Sequence, residues 1–263
     1  MLKAETLALF SDAVADPRFL IALGVAAVSG LVRGFSGFGS ALIYMPLISA
    51  VYSPRVAAPT LLLIDTICSL PFAIKVIPNS NLREVAPVAV AGAIALPLGT
   101  LALLLLDPLL LRWFIALLVL VALTALIAGW RYHGRPTVAA SLGVGAMAGL
   151  GGGALQIAAP PLLIFWLGGA NRASTVRANI MVYFIVQGAL SIGMYVYTGL
   201  LTTQVIVLAL LFGAPFAIAL AAGDIWFHGA SELLYRRVAY IIIAVAGIIG
   251  LPLFDHLSSR IIP

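Results

Sequence analysis

The chain has 263 residues, of which 63% are hydrophobic and 9% charged, with a mean hydropathy of +1.18. Soluble domains average about 45–50% apolar and about 25% charged residues, so a water-soluble fold is excluded. The net charge of +5 comes from 14 Lys and Arg scattered between apolar runs; with no basic face or stripe they exclude a nucleic-acid partner and read as topology signals and contacts to anionic lipid.

In chain order, residues 1–17 form a short segment expected to lie on the membrane surface through Leu2, Leu9, Phe10 and Val14. Lys3 is followed by Glu5, Asp12 and Asp16 with no long apolar run, which argues against a cleaved signal peptide. Two short apolar stretches, 19–32 and 41–52, then flank a glycine-rich break. At 1.5 Å per residue each covers roughly 20 Å of a hydrocarbon core about 30 Å thick, so both are expected to be half-helices. Stretches 56–74, 85–106 and 109–130 are long enough, or nearly so, to span. The order then recurs: short runs 137–150 and 154–167 around a second glycine break, and long runs 178–197, 205–222 and 238–254.

This recurrence predicts an all-α polytopic membrane protein with one integral membrane domain built from two tandem repeats, 18–132 and 133–263. At residue level Gly37, Gly39 and Pro46 align without gaps on Gly151, Gly153 and Pro160, and Arg33 falls on Met147. Arg55 matches Arg172 after an insertion, Gly92 matches Gly213, and Arg112 matches Arg236. Paired Gly-interrupted segments point to a transporter site.

Charge placement selects the orientation of the copies. If each glycine-tipped element enters and leaves on one side, the copies are inverted, with Lys75, Arg83, Arg131, Arg135, Arg172, Arg177, Arg236 and Arg237 on one face. Lys3, Arg18, Arg55, Arg112 and Arg260 lie on the other, so the positive-inside rule puts both termini outside. Charge does not distinguish re-entrant hairpins from paired full spans.

The first tip runs from Arg33 through Gly34, Ser36, Gly37 and Gly39 to Ser40, the second from Gly149 through Gly151, Gly152 and Gly153 to Ala154. The second half-helices, starting near Ser40 and Ala154, would aim free N–H groups and a partial positive charge at the bilayer midplane, a place for an anion. Close helix packing explains the glycines as well. Arg33, at membrane depth, is either an anion ligand or a helix-capping or snorkelling arginine. Asp65 is mid-span, a candidate proton carrier or the fixed partner of an arginine. Asn179, Tyr183, Gln187 and Ser191 recur every fourth residue and share one helix face, lining a path or bonding between helices. The candidate substrate contacts are therefore Arg33, Gly34, Ser36, Gly37, Gly39, Ser40, Gly151, Gly152, Gly153, Gln156, Asn179, Tyr183 and Gln187.

Other chemistry is not indicated. Cys68 sits within an apolar run and has no second cysteine to pair with, and His133, His228 and His256 lack metal-ligand spacing. No P-loop pattern occurs and no nucleophile has an evident base, so neither a cofactor, a metal nor an enzyme is expected.

The tips, Gly34-Phe35-Ser36-Gly37-Phe38-Gly39 leading to Pro46 and Gly149-Leu150-Gly151-Gly152-Gly153 leading to Pro160, resemble those of the TauE/SafE-type sulfite exporter family of bacterial and plant membrane proteins. The resemblance covers nearly the whole chain. It implies a secondary transporter of sulfite, a sulfonate or another small sulfur-containing or carboxylate anion in a cell membrane, with a bacterial inner membrane expected. Proton coupling through Asp65 is one expectation. An anion channel and an accessory subunit of a membrane complex are the alternatives, and a homo-oligomer is left open.

Overall fold

A computed structural model describes residues 10–130, 132, 137–168, 172–227 and 232–254. Residues 1–9, Arg131, Arg135, Arg260 and the three histidines lie outside them, so the expectations placed there stand as read from the sequence. The described residues contain no strand; besides helical residues 10–15 they form α1 (Phe19–Ser36), α2 (Ser40–Val51), α3 (Pro54–Val76), α4 (Leu82–Leu105), α5 (Pro108–Ile127), α6 (Val138–Leu155), α7 (Ala159–Leu167), α8 (Ala173–Tyr197), α9 (Thr203–Phe227) and α10 (Glu232–Ile249).

Seven of these are long and apolar enough to cross a membrane: α1, α3, α4, α5, α6, α8 and α9. Two differ from the sequence reading. Runs 19–32 and 137–150 were expected as half-helices, but α1 and α6 each continue through their glycines to 18 residues. Glycine inside a helix lowers its stability without ending it when tertiary packing compensates. The short elements are α2, with 12 residues, and α7, with 9. The last apolar helical stretch, Val238–Ile249, is also shorter than the expected run 238–254.

Caps fix several boundaries. Thr137 accepts from the Ala140 amide at the start of α6, and Asp107 accepts from Leu109 and Leu110 ahead of α5, where Pro108 occupies the first helical position. At the end of α1, Gly37 turns to φ 74° and its amide returns to the Arg33 carbonyl, and Gly39 follows at φ 101°. Both angles are costly for residues bearing a Cβ.

Each short helix folds back along the helix before it. Arg18 Nη1 donates to the Val51 carbonyl at 3.4 Å, bringing the start of α1 beside the end of α2. Tyr132, just ahead of α6, donates its amide to Ile164 of α7 at 2.9 Å.

The principal crossings use small residues. A Cβ on Gly30 or Gly34 of α1 would collide with the carbonyls of Phe216 or Leu220 in α9, and one on Gly223 with that of Leu31. Likewise Gly149 and Gly153 of α6 sit on the carbonyls of Gly92 and Leu96 in α4, and Gly99 sits on that of Leu150. Glycine at these points lets two backbones touch where any side chain would hold them apart. Elsewhere the interior is apolar, with Phe19 stacked on Phe212 at 5.8 Å. Outward faces are apolar too: Ile94, Leu105, Ile218 and Ile225 are each more than 70% exposed. Such an exterior suits lipid rather than water.

Element boundaries also correct the residue alignment. Phe19 and Val138 open the first helix of each half, Ser36 and Leu155 close it, and Ser40 and Ala159 open the short helix. Gly37 therefore corresponds to Gln156 rather than Gly151, and Arg33 to Gly152 rather than Met147. The second short helix begins at Ala159, not near Ala154. In the later helices Gly92 and Gly213 stand at the same point of α4 and α9, and Arg112 and Arg236 at the same point of α5 and α10, as aligned, although the residue of α9 that meets Gly30 is Phe216 where Gly149 meets Gly92.

Candidate functional site

The two hairpin turns meet at one cavity of about 50 Å³. Its walls include the N-terminal residues of α2, from Gly39 to Leu42, and the segment from Ile157 to Pro160 that opens α7. Helix N-termini carry free N–H groups and roughly half a positive charge each. The two ends are unequal: α2 offers the amides of Ser40 and Ala41, whereas the Pro160 and Pro161 positions of α7 have no N–H.

Arg33 reaches this cavity from the last turn of α1 and is only 4% exposed. Its Nε donates to Asp65 Oδ1 at 2.8 Å and lies 3.3 Å from Ser69 Oγ, its Nη1 donates to the Gly37 carbonyl, and its guanidinium stacks over the Phe184 ring with 5.0 Å to the centroid. Asp65 Oδ1 also accepts from Ser40 Oγ at 3.2 Å and from Ser69 Oγ at 3.4 Å. Asp65 is thus held by an arginine rather than isolated, and Arg33 both caps its own helix and faces the cavity. A buried pair of this kind is costly to break from one side, since the remaining charge is left uncompensated. Asp65 and Phe184, which clasp the guanidinium, stand at corresponding points of α3 and α8.

Gly152, the counterpart of Arg33, leaves room for the Gln187 side chain, whose amide a Cβ at that point would meet. Gln187 is 7% exposed and neither end of its amide has a hydrogen-bond partner among the described residues. Gln156 closes α6 in the left-handed region, at φ 54°, a conformation unusual for a residue bearing a Cβ. Its Nε2 donates to the Gly152 carbonyl at 2.9 Å and to Tyr195 Oη at 3.1 Å, and that hydroxyl donates to the Gly153 carbonyl at 2.8 Å.

Of the residues proposed from sequence, the structure gathers Arg33, Gly39, Ser40, Asp65, Gly152, Gln156 and Gln187 around the cavity. The others serve elsewhere. Gly34 and Gly153 make the helix crossings, Gly37 lies under the Arg177 side chain, and the Gly151 carbonyl accepts from the Ile157 amide in the turn. Ser36 Oγ donates to the Val32 carbonyl at 2.7 Å. Asn179 accepts from the Asn81 amide at 2.7 Å, pinning the start of α4 to α8, and Tyr183 packs its hydroxyl on Gly92. The stripe on α8 therefore divides, with Gln187 facing the cavity while Asn179 joins helices.

Sequence reasoning missed Thr66, Phe184 and Gly188, which also line the cavity, and Tyr195, whose hydroxyl accepts from Gln156. Tyr195 continues the every-fourth-residue stripe from Ser191, a signal present in the sequence; Phe184 carried none. Beyond Arg33 a smaller cavity of about 10 Å³ is bordered by Arg177 and Asp224, which pair at 3.5 Å. Among the described residues no cluster of three or more metal-ligating side chains occurs.

Neither the curated proteins nor the solved structures compared with the chain gave a match. The family model described as sulfite exporter TauE/SafE matches residues 21–249, a span containing the cavity, six of the seven candidate spans whole and all but the first two residues of the other. The chain therefore belongs to the TauE/SafE sulfite exporter family, integral membrane proteins that transport sulfite or a related anion.

Proposed function

We propose that this chain is a secondary transporter of a small oxyanion, sulfite or a related sulfur-containing or carboxylate anion, working by alternating access around the two hairpin turns. The observation that carries the reading is the convergence of Arg33 and two helix N-termini on one cavity. An anion there receives fixed dipoles from two directions and, when Asp65 yields, the guanidinium. Arg33, Ser40, Gln156 and Gln187 are its side-chain ligands, with the backbone at Gly39 and Gly152 admitting close approach.

Residues 18–132 and 133–263 read as inverted-topology repeats, preceded by residues 1–17 at the membrane surface. Three features support this. Both halves open with an 18-residue helix and a returning short one; α1 meets α9 as α6 meets α4, through glycines; and the turn between α3 and α4 lies against the first part of α8, through Asn81 and Asn179. The face bearing Lys75, Arg83, Arg172 and Arg177 is then cytosolic and both termini are outside, in a bacterial inner membrane. Cysteines placed at Lys3 and Arg131 are expected to label from opposite sides; labelling from one side overturns the inversion.

Because Arg33 is already neutralised by Asp65, an anion enters favourably with a proton. That proton has two places to sit, on Asp65 or on the anion itself. Sulfite uptake into proteoliposomes tests the site. The wild type is expected to accumulate sulfite down an imposed pH gradient, and the double variant R33Q/D65N, which removes both charges together, to fold and lose uptake. Retained uptake removes Arg33 from the site.

A further inference from the structure

Gln187 is buried, lines the cavity and leaves both ends of its amide without a partner among the described residues. A carboxamide offers an N–H donor and a carbonyl acceptor side by side, and leaving either unmade in a buried site is unfavourable unless a ligand completes it. A fully deprotonated oxyanion presents acceptors only; it satisfies Nε2 and turns its lone pairs against Oε1. An oxyanion that keeps one proton presents an acceptor oxygen and an O–H next to each other, which matches both ends.

Charge leads to the same place. The ionisable residues lining the cavity are Arg33 from α1 and Asp65 from α3, whereas α2, α6, α7 and α8 line it with neutral residues. The next pair, Arg177 of α8 and Asp224 of α9, borders the smaller cavity beyond Arg33. Arg33 and Asp65 cancel each other, leaving the two helix N-termini, of which that of α7 lacks N–H groups at Pro160 and Pro161. With at most roughly half a positive charge from each end, they balance no more than about one negative charge, not two.

We infer that the site takes its substrate as the singly protonated monoanion of an oxyacid, with Gln187 reading the O–H. This rests on the anion-transport reading above and assigns the accompanying proton to the anion rather than to Asp65. Gln187 is thereby a specificity-determining residue: it separates hydrogen oxyanions from anions of equal charge that lack an O–H.

Affinities of the purified full chain for sulfite, methanesulfonate and sulfate, measured by calorimetry across a pH series, test the inference. Sulfite affinity is expected to rise as pH falls through the range in which sulfite takes up its proton, and then to level. Methanesulfonate, a monoanion without an O–H, stays flat and binds at least about 10-fold more weakly than the protonated form of sulfite, and sulfate is weaker still. Gln187→Met is expected to bring sulfite and methanesulfonate within about twofold of each other, by removing the group that tells them apart. Methanesulfonate affinity rising in parallel with that of sulfite puts the proton on Asp65 and overturns the inference, as does a Gln187→Met protein that keeps the wild-type ratio. The pH series on the wild type decides the matter even where the variant fails to fold. A wild type that binds none of the three overturns the anion reading together with this one, whereas binding without discrimination overturns this one alone.

Discussion

The two hairpins share a backbone plan and differ in what stands on it. In the first, the turn is made by Gly37 and Gly39 in the left-handed region, and the helix before it delivers Arg33 to Asp65. In the second, one non-glycine residue, Gln156, makes the left-handed turn, and Gly152 stands where Arg33 would. One turn is made by glycines and held by the Arg33 guanidinium on the Gly37 carbonyl; the other is made by Gln156, whose neutral side chain bonds to Gly152 and Tyr195. Matching helices thus bring unlike chemistry to one cavity: the Arg33–Asp65 pair from the first hairpin and its neighbour α3, and the Gln156 and Gln187 amides from the second hairpin and α8.

The largest effect that breaks this comparison is Arg33→Gln. It leaves Asp65 without its cation and is expected to destabilise the protein by about 3–5 kcal/mol, seen as a lowered melting temperature in detergent. R33Q/D65N is expected to recover most of that loss; a double variant as unstable as the single one shows that the pair is not the source. Next come the crossings. Gly34→Leu and Gly153→Leu each drive a side chain into a facing carbonyl, and both are expected to cost about 3 kcal/mol, near the upper end for overpacking. Unequal costs at these two positions show that the crossings are not equivalent. On the neutral side, Tyr195→Phe removes the hydroxyl bonded to Gln156 and the Gly153 carbonyl, at about 1–2 kcal/mol. The smallest change is Asp224→Asn. Arg177 and Asp224 are each about one-third exposed, so the loss is expected below about 1 kcal/mol.

Much of the fold was legible because apolar runs of spanning length have few alternatives in a chain so poor in charge. Arg33, Asp65 and Gln187 stood out for the same reason: polar groups at membrane depth need a purpose. The glycines were harder, since glycine both breaks helices and lets them touch, and sequence records the residue without its neighbour. The distinguishing signal was spacing. Gly145, Gly149 and Gly153 recur every fourth residue on one helix face, as Gly30 and Gly34 do, which marks a packing seam rather than a turn. Aligning the halves on glycine identity consequently placed Gly37 on Gly151, when its structural counterpart is Gln156. Phe184 was invisible because its role depends on Arg33 arriving over its ring from another helix.

The two crossings also differ in when they can form. The partner of α6 is α4, already made when α6 emerges, whereas α1 waits for α9, which begins at Thr203. At about 5–20 residues per second, α1 stands in the bilayer for roughly 10–40 s with its glycine seam facing lipid. The seam of α1 is therefore completed only after α9 emerges, long after Asp65 and Ser69, the partners of Arg33, have been made.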